Sequence, residues 1–127
     1  MNRYYIYFIS LLMLVVSCQK REFKSISPQE FKELIVDTTI QRLDVRTFEE
    51  YNEAHIMNAH FLDVGDSLFV ERVDSVLNKD YPVAVYCRTG RRSKDAAAIL
   101  SEKGYKVYEM NGGITEWKNL SFPLISE

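Results

Sequence analysis

The tightest constraint on this chain comes from four consecutive residues, Val83, Ala84, Val85 and Tyr86, closed by Pro82 on one side and followed, after Cys87, by a glycine-containing turn. An apolar run this short, with no polar position in it, fits a strand buried on both faces. A sheet is covered on both faces when helices pack on each side of it, the arrangement of α/β domains with parallel strands.

The flanking sequence supplies those helices. Ser27, Pro28 and Glu30 spell a helix start, with Ser27 as N-cap, Pro28 at the first helical position and Glu30 completing a capping box. Phe31, Leu34 and Ile35 give that helix an apolar stripe. Residues 42–45 alternate as a strand does, and Thr47 with Glu50 repeats the capping box ahead of a short helix ending at Glu53. Residues 61–64 read as another short strand. From Asp66 the apolar positions Phe69, Val73, Val76 and Leu77 recur at helical spacing until residues 78–82 break the pattern. A helix is predicted over 93–103, with Ala96, Ala97, Ile99 and Leu100 inward and Gly104 just past its end. Residues 106–110 read as a strand, 111–113 as a turn and 114–119 as a last short helix, closed by Pro123. Strands alternating with helices predict an α/β domain whose central, mostly parallel sheet is flanked by helices.

Ligands of such sheets sit beyond the carboxyl ends of the strands, and Cys87 stands at one of those ends. The stretch Cys87, Arg88, Thr89, Gly90, Arg91, Arg92, Ser93 joins the buried strand to the next helix. A tight loop there aims successive backbone N–H groups at one point, and with the helix dipole they form an anion cradle. Such surroundings, with arginines close by, favour thiolate over thiol, and thiolate is the nucleophile. Residue types alone leave two readings open: an inert buried thiol beside solvated arginines, or a reactive sulfur in an anion site. The strand, loop and helix context favours the second.

Charge and cysteine usage narrow the function classes. The 127 residues carry a net charge of −2, so the chain lacks the basic excess of a nucleic-acid binder and any anion site is local. Its two cysteines, Cys18 and Cys87, form neither a CxxC pair nor a zinc quartet, so no metal site and no cofactor is expected. His55 and His60 are isolated, and a lone histidine after a helix is more often a hydrogen-bonded structural residue than a general base. Trp117 is expected in the core.

The segment 4–16 is almost unbroken in its apolar character and follows a single charge at Arg3, as a targeting segment does. Thirteen residues of helix cover about 20 Å, short of the ~30 Å hydrocarbon core, which disfavours a transmembrane span. Its end, Val15, Val16, Ser17, Cys18, resembles the lipobox of bacterial lipoprotein signals, with Val at position 15 where Leu is usual. The competing readings are an ordinary secretory signal and a short apolar strand. The resemblance implies a signal peptide over 1–17, lipidation of Cys18, a tether over 18–22 and a domain over 23–127. It also implies attachment to a membrane of the bacterial cell envelope, on its periplasmic or surface face. The two or three acyl chains of such a cysteine hold stably where one does not.

The loop CRTGRRS at 87–93 resembles the active loop of single-domain rhodaneses, of the form CRxGxRS. Two further blocks agree in order. Leu43, Asp44, Val45 and Arg46 followed by Glu49, Tyr51, His55, Ile56 and Ala59 is similar to the family's first block, and Asn111, Gly112, Gly113, Trp117 and Pro123 to its last. Departures are confined to one turn, where Ala54, Met57 and Asn58 replace the family's Gly, Pro and Gly; Asn tolerates left-handed geometry better than most residues.

The resemblance implies a rhodanese-like three-layer domain and a sulfurtransferase. Cys87 would accept a sulfane sulfur from thiosulfate or a persulfide donor and pass it to cyanide or a thiol. Arg88, Thr89, Gly90, Arg91, Arg92 and Ser93 would bind the anionic substrate and the charged sulfur, with Asp44, Arg46 and His55 as structural support. A protein sulfur acceptor is a further implied partner. The family also contains binding and sulfur-carrier modules, so a non-catalytic role at the envelope is the alternative, although inactive members typically lack the loop cysteine. A cysteine phosphatase would need Arg six positions after the cysteine, where this chain has Ser93, and arsenate reduction needs a resolving thiol that the chain, with Cys18 lipidated, does not offer.

Overall fold

The computed structural model describes residues 22–126, so the expected signal segment and the lipidation site Cys18 lie outside the described residues. Ten elements follow one another: β1 (Lys24–Ile26), α1 (Pro28–Leu34), β2 (Gln41–Asp44), α2 (Phe48–Glu53), β3 (His60–Phe61), α3 (Phe69–Val76), β4 (Val83–Tyr86), α4 (Arg91–Glu102), β5 (Val107–Met110) and α5 (Gly113–Asn119). The five strands form one sheet in the order β1-β5-β4-β2-β3, and every strand pairing in it is parallel. The fold is an α/β architecture, a central parallel sheet with helices on both sides.

The apolar run of β4 sits between β5 and β2 with all four residues buried, as its composition requires. Its alternate side chains feed two cores. Val83, Val85 and Cys87 pack with Phe69 and Val73 of α3 and Ala96, Ala97 and Leu100 of α4. Ala84 and Tyr86 pack on the opposite face with Phe31 of α1 and Ile114 and Trp117 of α5. Trp117 is in the core as expected, with its Nε1–H donating to the Pro123 carbonyl at 3.0 Å. Both capping boxes form, at Ser27 with Glu30 and at Thr47 with Glu50.

Four boundaries differ from the sequence reading by more than one residue. Strand β1 lies within a stretch read as the entry to the domain, because two of its three residues are exposed and its pattern carries no apolar alternation. The third strand spans two residues rather than 61–64: Leu62 and Val64 still donate to the carbonyls of Asp44 and Val45, but the chain then turns at Gly65 and leaves the ladder. Residues 66–68 form a turn ahead of α3, with Asp66 Oδ1 accepting from the Leu68 amide at 2.8 Å. Helix α4 starts at Arg91, two residues early, because Gly90 takes a left-handed φ of 107° and serves as its N-cap.

The turn that departs from the family pattern closes without its glycines and proline. Asn58 adopts a left-handed φ of 62°, and Arg42 Nη1 donates to the Met57 carbonyl at 2.6 Å. His55 is buried: its backbone exchanges two hydrogen bonds with Ile125, its Nδ1–H donates to the Tyr51 carbonyl, and its ring stacks on that of Tyr51.

Candidate active site

Cys87 follows the last residue of β4 at the carboxyl edge of the sheet and is 1% exposed. The chain wraps back so that the Gly90 amide donates to Cys87 Sγ at 3.1 Å. That contact needs the left-handed conformation of Gly90, which a side chain would strain. Helix α4 opens immediately afterwards with no side-chain cap, so its dipole and first-turn amides face the loop rather than a serine or aspartate oxygen.

A second helix holds the loop from the other side. The first-turn amides of α5 are spent on the loop's carbonyls: Ile114 donates to the Cys87 carbonyl at 2.9 Å and Thr115 to the Arg88 carbonyl at 3.1 Å, reinforced by Thr115 Oγ1 at 2.9 Å. Gly113 makes this approach possible. A Cβ at that position would lie 2.4 Å from the Arg88 carbonyl oxygen and 2.6 Å from that of Cys87. The sequence marks Gly112 and Gly113 as a turn and as part of the closing block; the close helix-to-loop contact is what Gly113 permits.

The three loop arginines separate in role. Arg92 is tied to Glu50 of α2, with Nη1 and Nη2 donating to the two carboxylate oxygens at 2.7 and 3.0 Å. Those bonds, with help from Thr47, hold the Glu50 carboxyl at about 2, well below the usual range. Arg88 lines a polar cavity of about 330 Å³ with Arg46, Glu50, Thr115 and Lys118. This cavity meets the loop at Arg88 and at the start of α5, and its lining mixes the cationic Arg46, Arg88 and Lys118 with the carboxylates of Glu50 and Glu53. Arg91 is exposed at the first position of α4, and Thr89 is exposed in the loop.

Asp44 and Arg46 form a buried ion pair with contacts of 3.0, 3.1 and 2.7 Å, and Arg46 also donates to the Ala54 carbonyl at 2.6 Å. Burial disfavours the Arg46 charge, but the adjacent Asp44 more than offsets it and the guanidinium pKa is raised. The pair ties the end of β2 to the turn after α2. Beside it, burial and the Asp44 charge push the Tyr86 hydroxyl far above its ordinary value, and Tyr86 Oη accepts from the Ile56 amide at 3.0 Å.

Ser93 turns inward. Its Oγ lies 3.4 Å from Cys87 Sγ and 2.7 Å from Glu109 Oε1, and Glu109 on β5 is fully buried. Glu109 is absent from the sequence reading. Strand alternation from the buried Val107 was the signal available for it, since residues 107 and 109 share a face. Among the described residues no group of His, Cys, Asp and Glu is arranged to hold a metal ion.

A thiol at the end of a central parallel strand, wrapped by a loop whose amide meets the sulfur and whose last turn opens a helix, defines the class of cysteine-loop α/β domains. The family model for the Rhodanese-like domain matches residues 27–120. The chain is 37% identical over 97 residues to the thiosulfate sulfurtransferase GlpE of Coxiella burnetii, covering 76% of this chain and 88% of that protein. It is 34% identical over 103 residues to the putative sulfurtransferase YtwF of Bacillus subtilis, covering 80% and 97%. The crystal structure of a rhodanese-related protein from Thermoplasma volcanium superposes with a TM-score of 0.73 at 28% identity, covering 83% of this chain and all of that one. This chain belongs to the rhodanese-like domain family.

Proposed function

We propose that this protein is a sulfurtransferase that works through a persulfide on Cys87. The observation that carries the reading is the Gly90 amide at 3.1 Å from Cys87 Sγ, at the mouth of an uncapped helix, which stabilises charge on that sulfur atom. The thiolate attacks the outer sulfur of thiosulfate, a new S–S bond forms, and sulfite leaves with the electron pair of the old one. The persulfide carries the same single charge as the thiolate, so the cradle serves both. Cyanide or an acceptor thiolate then takes the outer sulfur and returns Cys87 as thiolate. Arg88 and Lys118 beside the polar cavity attract the anionic donor, while Arg92 shapes the loop through Glu50. The relative named a thiosulfate sulfurtransferase supports the choice of donor. A phosphatase reading is disfavoured because position 93, where an arginine would clamp phosphate, is Ser93, whose hydroxyl is engaged by Glu109 inside the protein.

The test uses the full-length chain in mild detergent, incubated with thiosulfate and weighed by mass spectrometry. The expected result is a gain of one sulfur atom on the Cys87 peptide, removed by cyanide as thiocyanate and absent in Cys87→Ala. Reduced, folded protein that gains no sulfur from thiosulfate or from persulfide donors would overturn the reading in favour of a binding or carrier module.

The ending Val15, Val16, Ser17, Cys18 further supports attachment to the bacterial envelope through a lipid on Cys18. Expression in a bacterium should place the chain in the membrane fraction, and Cys18→Ser should release it.

A further inference from the structure

We propose that Glu109 is a positioning residue that keeps Cys87 in its nucleophilic form by holding the thiol's proton, received through the Ser93 hydroxyl. This rests on the reading that Cys87 acts as a thiolate, and it adds where the proton goes.

The three groups form a continuous chain of contacts inside the protein. The Cys87 thiol donates to Ser93 Oγ at 3.4 Å, and Ser93 Oγ–H donates to Glu109 Oε1 at 2.7 Å. The second carboxylate oxygen, Oε2, accepts from Ser25 Oγ at 2.7 Å. The sheet builds this arrangement: Ser25 on β1 stands opposite Glu109 on β5, and Glu109 stands opposite Val85 on β4, two residues before the nucleophile. A carboxylate placed in the core without a task is a costly residue, since burial penalises its charge. Here it lies one hydroxyl away from the sulfur that must lose a proton.

The groups facing this chain are few. From α4, Lys94 places Nζ 3.5 Å from Glu109 Oε1 and 3.2 Å from Asn111 Oδ1. β1 contributes the neutral Ser25. Cys87 itself feels Arg92, whose guanidinium is bound by Glu50 of α2 and which also senses Asp63.

The step balances internally. The Sγ proton moves to Ser93 Oγ while the Ser93 proton moves to Glu109 Oε1, leaving a thiolate, a neutral carboxylic acid and a Ser93 O–H now donating to sulfur. Total charge is unchanged, and the Lys94 ammonium, 3.5 Å from Glu109 Oε1, is then no longer opposed by a carboxylate there. Because thiolate and persulfide carry equal charge, the proton can stay on Glu109 throughout the transfer cycle.

The experiment measures the rate at which iodoacetamide alkylates Cys87 from acid to alkaline pH, read on the Cys87 peptide by mass spectrometry so that Cys18 does not contribute. Glu109→Gln and Ser93→Ala are each expected to move the profile to higher pH by about one unit, roughly tenfold slower alkylation near neutrality. The double variant is expected to match the single ones, and Ser93→Thr, which keeps the hydroxyl, to restore the wild-type profile. A Glu109→Gln profile that is unchanged, or that moves to lower pH as removal of a bystander negative charge would cause, overturns the proposal. So does a shift in Ser93→Ala alone. If circular dichroism shows Glu109→Gln unfolded, Ser93→Ala and Ser93→Thr decide: a shift in the first reversed in the second supports the relay, and an unshifted Ser93→Ala overturns it. Alkylation needs no sulfur donor, so this result stands apart from the persulfide assay.

Discussion

Helices α1 and α2 begin differently from α4 and α5, and the difference separates scaffold from site. The first pair close their own N-termini: Ser27 accepts from the Glu30 amide at 3.1 Å and Thr47 from the Glu50 amide at 3.3 Å, each with the glutamate reaching back. The second pair begin at left-handed glycines, Gly90 and Gly112, with no side-chain cap. A capped terminus satisfies its amides locally and is finished as a structural unit. An uncapped one leaves amides for something else, and here both point at residues 87–93: α5 spends its own on the loop's carbonyls, and α4 turns its dipole toward the sulfur. Of the three helices that open without a side-chain cap, these two direct their first turns at the Cys87 loop, while α3 opens at Leu68.

The largest effect is expected where an open terminus touches the loop most closely. Gly113→Ala would set a methyl group against the Arg88 and Cys87 carbonyls, fixed backbone atoms, at a φ of 59°. Overpacking and left-handed strain together should destabilise the fold by about 3 kcal/mol or more. Denaturant unfolding would show this, and sulfur transfer by the remaining folded protein should fall because the loop has been pushed away. Full activity with unchanged stability would mean that α5 does not clamp the loop.

Gly90→Ala is expected to be milder in stability and still severe in function. Its Cβ would meet the flexible end of Lys94 at 3.2 Å and the Gly112 amide nitrogen at 3.4 Å, so the space can adjust, but a φ of 107° strains any side chain. A loss of about 1 to 3 kcal/mol is expected, together with a larger fall in Cys87 alkylation, because relaxing φ moves the amide off the sulfur. The ratio of the two losses is the informative number.

The two kinds of terminus meet at Glu50, which serves the α2 capping box and binds Arg92 of α4. Its folded pKa, about 2, lies below the ordinary 4.5, so the carboxylate contributes stability fully above pH 4.5 and loses it as pH falls toward 2. Both side chains are partly exposed, which reduces the contribution to about 1 kcal/mol. Unfolding measured through this acid range should show that much less pH dependence in Glu50→Gln. An identical acid profile would mean that solvent screens the Glu50–Arg92 link completely.

Much of this division was legible in the sequence, and the reason is local. Capping boxes are four-residue signals, and the β4 run with its CRTGRRS continuation is a contiguous one, so both were readable without knowing the packing. What escaped depends on strands meeting across the sheet. β1 is three residues with a single buried side chain, Ile26, and becomes a strand only because β5 pairs with it. Glu109 reads as a surface charge until strand alternation is carried from Val107 and the helix above it is in place. Arg92 reads as an anion-binding group, yet the structure ties it to Glu50, forty-two residues away. That contact requires knowing which helix end faces which.

The smallest effect tests the scaffold side. Ser27→Ala removes the oxygen that accepts from the Glu30 amide, an exposed cap, and should cost about 1 kcal/mol in thermal or denaturant unfolding. Sulfur transfer and Cys87 alkylation should not change, because α1 reaches the sheet through Phe31 on the face opposite the Cys87 core and contributes no group to the loop. Thr47→Ala should lose a similar amount of stability, but its box shares Glu50 with Arg92, so a change in alkylation rate is expected there and not in Ser27→Ala. If both caps altered the chemistry equally, helix N-termini would be acting through global stability alone, and the division between closed and open termini would have no functional content.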